Sequence, residues 1–230
     1  MHIHNIDYFL CKNELDKNYP STLIIPNKET IVVPENATAY GFVTADSGTA
    51  LVANRSFNLY RHMFISAPAG SVIKDMQGFL CLREKNNGLF SLGGPVERLG
   101  RLKYIDGCSD TLLLSPLECG EPCLNYLYVP SHIDQTAHTH PSVRVGCVLE
   151  GAGYCWTQKG IINLLPGNIF ILEPEEIHSF HTKENFLRIA VYHPDSDFGP
   201  THAIHPMVNK TYVEGVSVKG DNQYRTTKIN

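Results

Sequence analysis

Apolar residues come in short runs along this chain, separated by turn-forming residues. Thr111-Leu112-Leu113-Leu114, Tyr126-Leu127-Tyr128-Val129, Val143 to Leu149, Ile169 to Leu172 and Leu187 to Tyr192 are continuous or alternating apolar segments. Each predicts a strand, because a period of two or a short bounded apolar run suits a pleated, buried chain. The best helix candidate is Ile6 to Leu15, which is short and weakly periodic. Many short strands argue for an all-β closed barrel or jelly roll, an arrangement that hides sheet edges. The 18 Gly and 14 Pro residues supply the tight turns this requires.

The pattern is written twice. Gly41-Phe42-Val43, Phe64-Ile65-Ser66-Ala67-Pro68 and Gly78-Phe79-Leu80 in the first half return as Gly146-Cys147-Val148, Phe170-Ile171-Leu172-Glu173-Pro174 and Asn185-Phe186-Leu187. Gly94-Pro95 and Tyr104-Ile105-Asp106-Gly107 return as Gly199-Pro200 and Tyr212-Val213-Glu214-Gly215. The offset stays near 105 residues, the size of a small domain, so the chain reads as a tandem duplication. The halves differ within Ser131 to Pro141, where the second repeat carries extra residues.

Composition narrows the function classes. With 43% hydrophobic and 18% charged residues in 230, a packed core is expected and disorder is not. A formal charge of -4 without any Lys/Arg-rich run argues against nucleic acid or an anionic membrane as partner. No apolar stretch is long enough to span a bilayer, and the N-terminus lacks a signal-peptide pattern, so a cytoplasmic location is the expectation. Seven Cys without a disulfide-like frame read as reduced thiols packed as small hydrophobes.

The chemistry concentrates in the second repeat. Eight of the eleven histidines fall between His132 and His205, and two of them form His138-Thr139-His140. On a strand, positions i and i+2 share a face, so two imidazoles reach one point. A third comes from His178, after a Pro166-Gly167 turn, an apolar strand and a second turn at Pro174. The first repeat has Val72 at the position of His178 and no histidine at the other two.

At these residues the sequence resembles the cupin superfamily. The family's first motif holds two histidines one residue apart, a glutamate and a closing glycine; His138, His140 and Gly151 match it. In the second motif, Gly167 and His178 match at the family's separation. Pro174 sits one place late, Glu175 replaces an inner glycine and Thr182 the closing asparagine. The resemblance covers both repeats. It implies two tandem cupin (jelly-roll) barrels: residues 1–105 as a degenerate repeat without metal, and residues 106–230 as the metal-binding one.

One departure from the family shapes the functional expectation. Arg144 stands where the usual metal-binding glutamate would be. Arginine stays charged and accepts no hydrogen bond, so it is no cation ligand. The implied site is a divalent metal on His138, His140 and His178 with open positions. Arg144 beside it would grip a carboxylate through paired hydrogen bonds; the alternative is a structural ion pair with Glu150, Glu175 or Glu176. His181 is a candidate fourth ligand or catalytic base, otherwise a residue of the barrel rim. Tyr154 and Trp156 read as core, with lining of the pocket as the alternative. Asp195, Asp197, His202 and His205 form a polar tail that caps the barrel mouth or links the last strands.

Three-histidine cupins that resemble this chain include thiol, diketone-cleaving and gentisate-type dioxygenases. The resemblance therefore implies Fe(II), O2 and a small anionic organic substrate, and an assembly such as a homodimer through strand edges. One rival keeps the metal, as Zn, Ni or Mn, for a lyase, isomerase or decarboxylase. The other is a non-enzymatic small-molecule-binding cupin, since fold alone never fixes function. The absence of DNA-binding helices after the barrels weighs against a one-chain regulator.

Overall fold

The computed structural model describes residues 1–116, 118–196 and 211–217. Its elements are strands, with one short 3-10 turn at Ile105–Gly107 among the described residues. Among these residues no helix is long and apolar enough to cross a membrane. The segment from Ile6 to Leu15, expected as a helix, is a turn after Asn5, a short strand at Leu10–Lys12 and a loop. Asn5 Oδ1 accepts from the Asp7 amide at 2.8 Å, Glu14 takes a φ of 55°, and Asp16 Oδ1 accepts from the amides of Asn18 and Tyr19. Short polar side chains that bond nearby amides compete with the helical pattern, and here they win.

The strands assemble into two large and two small antiparallel sheets, with an outlying hairpin. The seven-stranded sheet runs, edge to edge, β1 (His2–Asn5), β18 (Asn168–Leu172), β15 (Arg144–Gly151), β20 (Leu187–His193), β14 (Cys123–Val129), β13 (Ser109–Leu114) and β12 (Leu102–Lys103). The six-stranded sheet runs β11 (Ser91–Gly93), β8 (Phe64–Ala67), β5 (Ala37–Val43), β10 (Gly78–Glu84), β3 (Ser21–Ile25) and β2 (Leu10–Lys12). The smaller sheets are β17 (Gly160–Leu164), β16 (Gly153–Thr157), β19 (His178–His181) and β4 (Ile31–Val32), β9 (Val72–Lys74), β6 (Thr49–Val52), β7 (Arg55–Asn58). The hairpin is β21 (Tyr212–Val213) with β22 (Val216–Ser217). The duplicated segments occupy matching places: β8, β5 and β10 in one large sheet, β18, β15 and β20 in the other.

Side-chain alternation sorts each central strand between two cores. On β5, Tyr40 and Phe42 enter the core between the two large sheets, while Ala37, Ala39 and Val43 face the four-stranded sheet. On β18, Ile169 and Ile171 enter the shared core, while Phe170 and Leu172 face the three-stranded sheet. Burial on both faces explains why these strands read as near-continuous apolar runs. Two strands from residues 1–105, β1 and β12, are built into the seven-stranded sheet, so the sheets do not divide at residue 105.

The repeated glycine has a packing reason. A Cβ on Gly146 would lie 2.1 Å from the Phe170 ring, and one on Gly41 would lie 2.4 Å from Leu80. Five of the seven cysteines are buried and all are free thiols.

Candidate metal centre

The candidate site lies between the seven-stranded and three-stranded sheets, on the face of β15 that carries Arg144 and Val148. Val145 and Cys147 turn the other way, into the shared core. The segment from His132 to His138 runs antiparallel to β19 without forming a regular strand. It is tied on by isolated bridges at Asp134–His181 and His138–His178. Gln135 and Phe180 are linked twice, by Gln135 N to Phe180 O at 3.3 Å and Phe180 N to Gln135 Oε1 at 3.1 Å. Three steps from Gln135 to His138 oppose two from Phe180 to His178, so a bulge at Thr136 and Ala137 sets up His138. Asp106 Oδ2 holds that bulge by accepting from the Thr136 amide at 2.7 Å. The expected strand at His138-Thr139-His140 is thus an irregular segment, although the two rings still share one side.

The three imidazoles converge. Ring centroids are 4.5 Å apart for His138 and His178, and 5.1 Å for each of them to His140. One nitrogen from each lies within 4.8 Å of the others. His138 Nδ1 is 2.9 Å from the Thr136 carbonyl and His178 Nδ1 is 2.8 Å from the Glu176 carbonyl. A carbonyl only accepts, so both Nδ1 atoms carry the proton and both Nε2 atoms present a lone pair. His178 Nε2 is buried without a protein partner. An orphaned acceptor facing two other imidazoles fits a divalent cation.

The turn that delivers His178 compensates for its unusual sequence. Glu175, in place of the family's glycine, still takes a left-handed φ of 60°, and its amide donates to the His140 carbonyl at 2.8 Å. Thr182, in place of the asparagine, accepts from the Ile133 amide at 3.0 Å and donates to the Pro130 carbonyl. It therefore ties the histidine-bearing segment to β19.

The cavity over the imidazoles has a volume of about 90 Å³. Leu127, Phe170, Leu172, Phe180 and Val191 form its apolar wall. Tyr104, Asp110, Asn125, Arg144 and His193 line it too, and they also line an adjoining chamber of about 440 Å³. Arg144 is 8% exposed. Its Nη1 donates to the carbonyls of Ser142 (3.2 Å) and Val143 (3.0 Å), and lies 3.6 Å from Asp195 Oδ1. Ser142 Oγ, which accepts from Nη1, donates to the same carboxylate. The ion-pair partner is thus Asp195, and not Glu150, Glu175 or Glu176; Glu150 pairs with Arg188 instead. Arg144 Nε is buried without a partner. Asp197, His202 and His205 lie outside the described residues.

Burial dominates the electrostatics. It pushes His140 down to about 3 and His178 to about 4, with Arg144 and the neighbouring imidazoles adding to the effect. Burial also holds His193 well below its ordinary value. These rings are neutral at neutral pH, the form that ligates metal. Burial raises the Asp110 carboxyl to about 6. Asp195 pairs with Arg144, and the Asp110 carboxyl lines the same cavity.

His181 is not brought to the cluster. It lies on the other face of β19, stacked on Tyr154 at 4.8 Å, with Nε2 2.7 Å from Ser179 Oγ and Nδ1 2.6 Å from Asp134 Oδ1. Serine, histidine and aspartate in that order invite comparison with a hydrolytic triad. Ser179 is only 3% exposed and none of the three lines a described cavity, so no substrate reaches the hydroxyl. The contacts fasten the Asp134 end of the ligand segment. Trp156, expected in the core, is 38% exposed. The sequence reading passed over Tyr104, Asp110, Asn125 and His193. They sit on or beside ordinary strands, and only the sheet register shows that they face the cavity.

An all-β barrel with this three-histidine cluster inside it is a cupin-type fold. Residues 130–203 match the family model described as "AraC-like ligand binding domain". A search of curated proteins finds no match. Among solved structures, the chain is similar to a cupin 2 conserved barrel domain protein from Leptotrichia buccalis, with a TM-score of 0.61 and 12% identity over 83% of this chain and 95% of that one. It is also similar to a putative glyoxylate-induced protein from Pseudomonas aeruginosa, with a TM-score of 0.60 and 11% identity over 84% and 81%. A variant of salicylate 1,2-dioxygenase from Pseudoaminobacter salicylatoxidans in complex with gentisate gives a TM-score of 0.55 and 10% identity over 79% and 73%. At these identities the likeness is one of fold.

Proposed function

We propose that this protein is a metal-dependent cupin enzyme, a non-haem Fe(II) dioxygenase of a small carboxylate-bearing substrate. The observation that carries this reading is the convergence of three imidazoles, with His178 Nε2 buried and unpartnered, on the floor of a cavity. His138, His140 and His178 would hold the ion. Bound iron would supply the redox chemistry that dioxygen requires. The chain's own contribution is binding, orientation and exclusion of water. Arg144, fixed by Asp195 and two backbone carbonyls, offers its remaining donors to a carboxylate. The apolar wall formed by Phe170, Leu172 and Phe180 keeps the reacting centre dry. A dioxygenase among the fold neighbours agrees with this reading without carrying it.

A second reading is a non-enzymatic small-molecule binder, favoured by the match of residues 130–203 to an AraC-like ligand binding domain. A third uses zinc, nickel or manganese as a Lewis acid without oxygen.

Elemental analysis of protein purified without added metal, followed by oxygen uptake on Fe(II)-loaded protein with gentisate and salicylate, separates them. Iron near one equivalent, uptake with a carboxylate substrate, and loss of both in His138→Ala are the expected results. Another metal without uptake supports the Lewis-acid reading. No metal in wild type overturns the enzyme reading in favour of the binder.

A further inference from the structure

The cavity holds a second set of polar groups that metal binding does not use. Asp110 on β13 and Asn125 on β14 are diagonal neighbours: Asp110 pairs with Leu127 in the register and Asn125 with Leu112. Both therefore project from one face of the sheet, beside Leu127, which lines the cavity. Asn125 Nδ2 donates to Asp110 Oδ2 at 3.1 Å. That bond fixes the amide orientation and leaves Asn125 Oδ1 as an acceptor. Asp110 Oδ1 and Asn125 Oδ1 are both buried and both lack a partner. Two acceptors without a donor between them are costly in a cavity wall, and an occupant that donates would remove the cost. Burial raises the Asp110 carboxyl, and an occupant that donates to it would favour its charged form.

We propose that Asp110 Oδ1 and Asn125 Oδ1 together bind a hydrogen-bond donor on the substrate, a hydroxyl or an amine. The site then takes a hydroxy- or amino-substituted carboxylate rather than a plain one. This rests on the proposed reading of Arg144 as the carboxylate partner. Arg144 lines the same two chambers as the acceptor pair, so one molecule can span both. A site built to bond a donor rejects an analogue lacking it, because the buried acceptors stay unpaired.

The test uses the full chain loaded with Zn(II), which is redox-inert, and calorimetric titration with three probes of similar size: 3-hydroxypropanoate, β-alanine and butanoate. A preference of about tenfold or more for a donor-bearing probe over butanoate is expected, the loss typical of an unpaired buried acceptor. A preference for β-alanine identifies an ammonium partner, and one for 3-hydroxypropanoate a hydroxyl. Asp110→Asn should reduce that preference several-fold with zinc content unchanged, the ratio to butanoate cancelling the lost charge that all three carboxylate probes feel alike. Asn125→Leu provides the same comparison if Asp110→Asn does not fold. Equal affinity for all three probes means that the acceptors hold only solvent, and overturns the inference while leaving the carboxylate reading intact. Failure of all three to bind overturns both. A preference that survives both substitutions assigns the selectivity elsewhere and overturns the role of this pair.

Discussion

The ligand histidines show how much of a side chain's behaviour is decided by its two ring nitrogens. His138 and His178 each lose one nitrogen to a backbone carbonyl two residues upstream, which leaves the other as a lone pair aimed at the cluster. Burial then keeps the His140 and His178 rings uncharged. With His140 at about 3 and His178 at about 4, against an ordinary 6.5, the unfolded chain takes up protons that the folded chain refuses. Stability from these groups is therefore intact above pH 6.5 and falls as the pH drops from there toward 4. Urea midpoints of metal-free protein should stay level between pH 8 and 7 and decline below 6.5. His140→Gln should flatten the decline; an unchanged profile would place the acid sensitivity in other groups. At this scale the convergence was legible, because His138 and His140 stand one residue apart and His178 falls at the separation of the motif the chain resembles. Asp110 and Asn125 were not legible, since a lone polar residue in a strand carries no spacing signal and its meaning depends on what the partner strand places beside it.

Among the elements, the informative one is the irregular segment along β19. The expectation of a plain strand at His138 and His140 got the shared side right and the backbone wrong. The bulge depends on Asp106, far away in sequence, and on the Gln135 side chain, neither of which a local pattern displays. The segment is pinned from Thr182 at one end to His178 at the other. Thr182→Val keeps the shape but leaves the Ile133 amide without its acceptor and the Pro130 carbonyl without its donor. A loss of about 1 kcal/mol in denaturant titration is expected from the two lost hydrogen bonds of partly buried groups. Metal affinity, read by competition with a chromogenic chelator, should fall with it, because the same segment carries His138. A stability loss with undiminished affinity would show that the bulge is held from its other end alone. The failed helix at Ile6 to Leu15 belongs to the same lesson: Ile6 and Leu15 do pack into the shared core, but from turns, where helical spacing has no bearing.

In the whole molecule, the core between the large sheets couples the two halves of the duplication. Tyr40, Phe42 and Phe79 from one sheet pack with Val145, Ile171 and Tyr192 from the other. Polar contacts cross the same boundary: Asp16 Oδ2 accepts from the Val143 amide at 2.9 Å, and Ser21 Oγ lies 3.1 Å from the Tyr192 hydroxyl. Such a boundary is an interior shared by two sheets, so calorimetry should show one cooperative transition with equal van't Hoff and calorimetric enthalpies. Two resolved transitions would mean that each half is stable by itself. Gly41 and Gly146, landmarks of the repeat read in the sequence, stand out there because each sits where a Cβ would collide with a neighbour. The sharing of one core was not legible, since an apolar residue looks the same whichever neighbour covers it.

Strand β1 carries this coupling into biosynthesis. His2 pairs with Ile171, 169 positions further on. While the ribosome works, β1 has no edge to join until β18 emerges, so this pairing waits on the whole stretch between the two strands. Over that interval β1 is exposed, and a chaperone's shelter would serve it most.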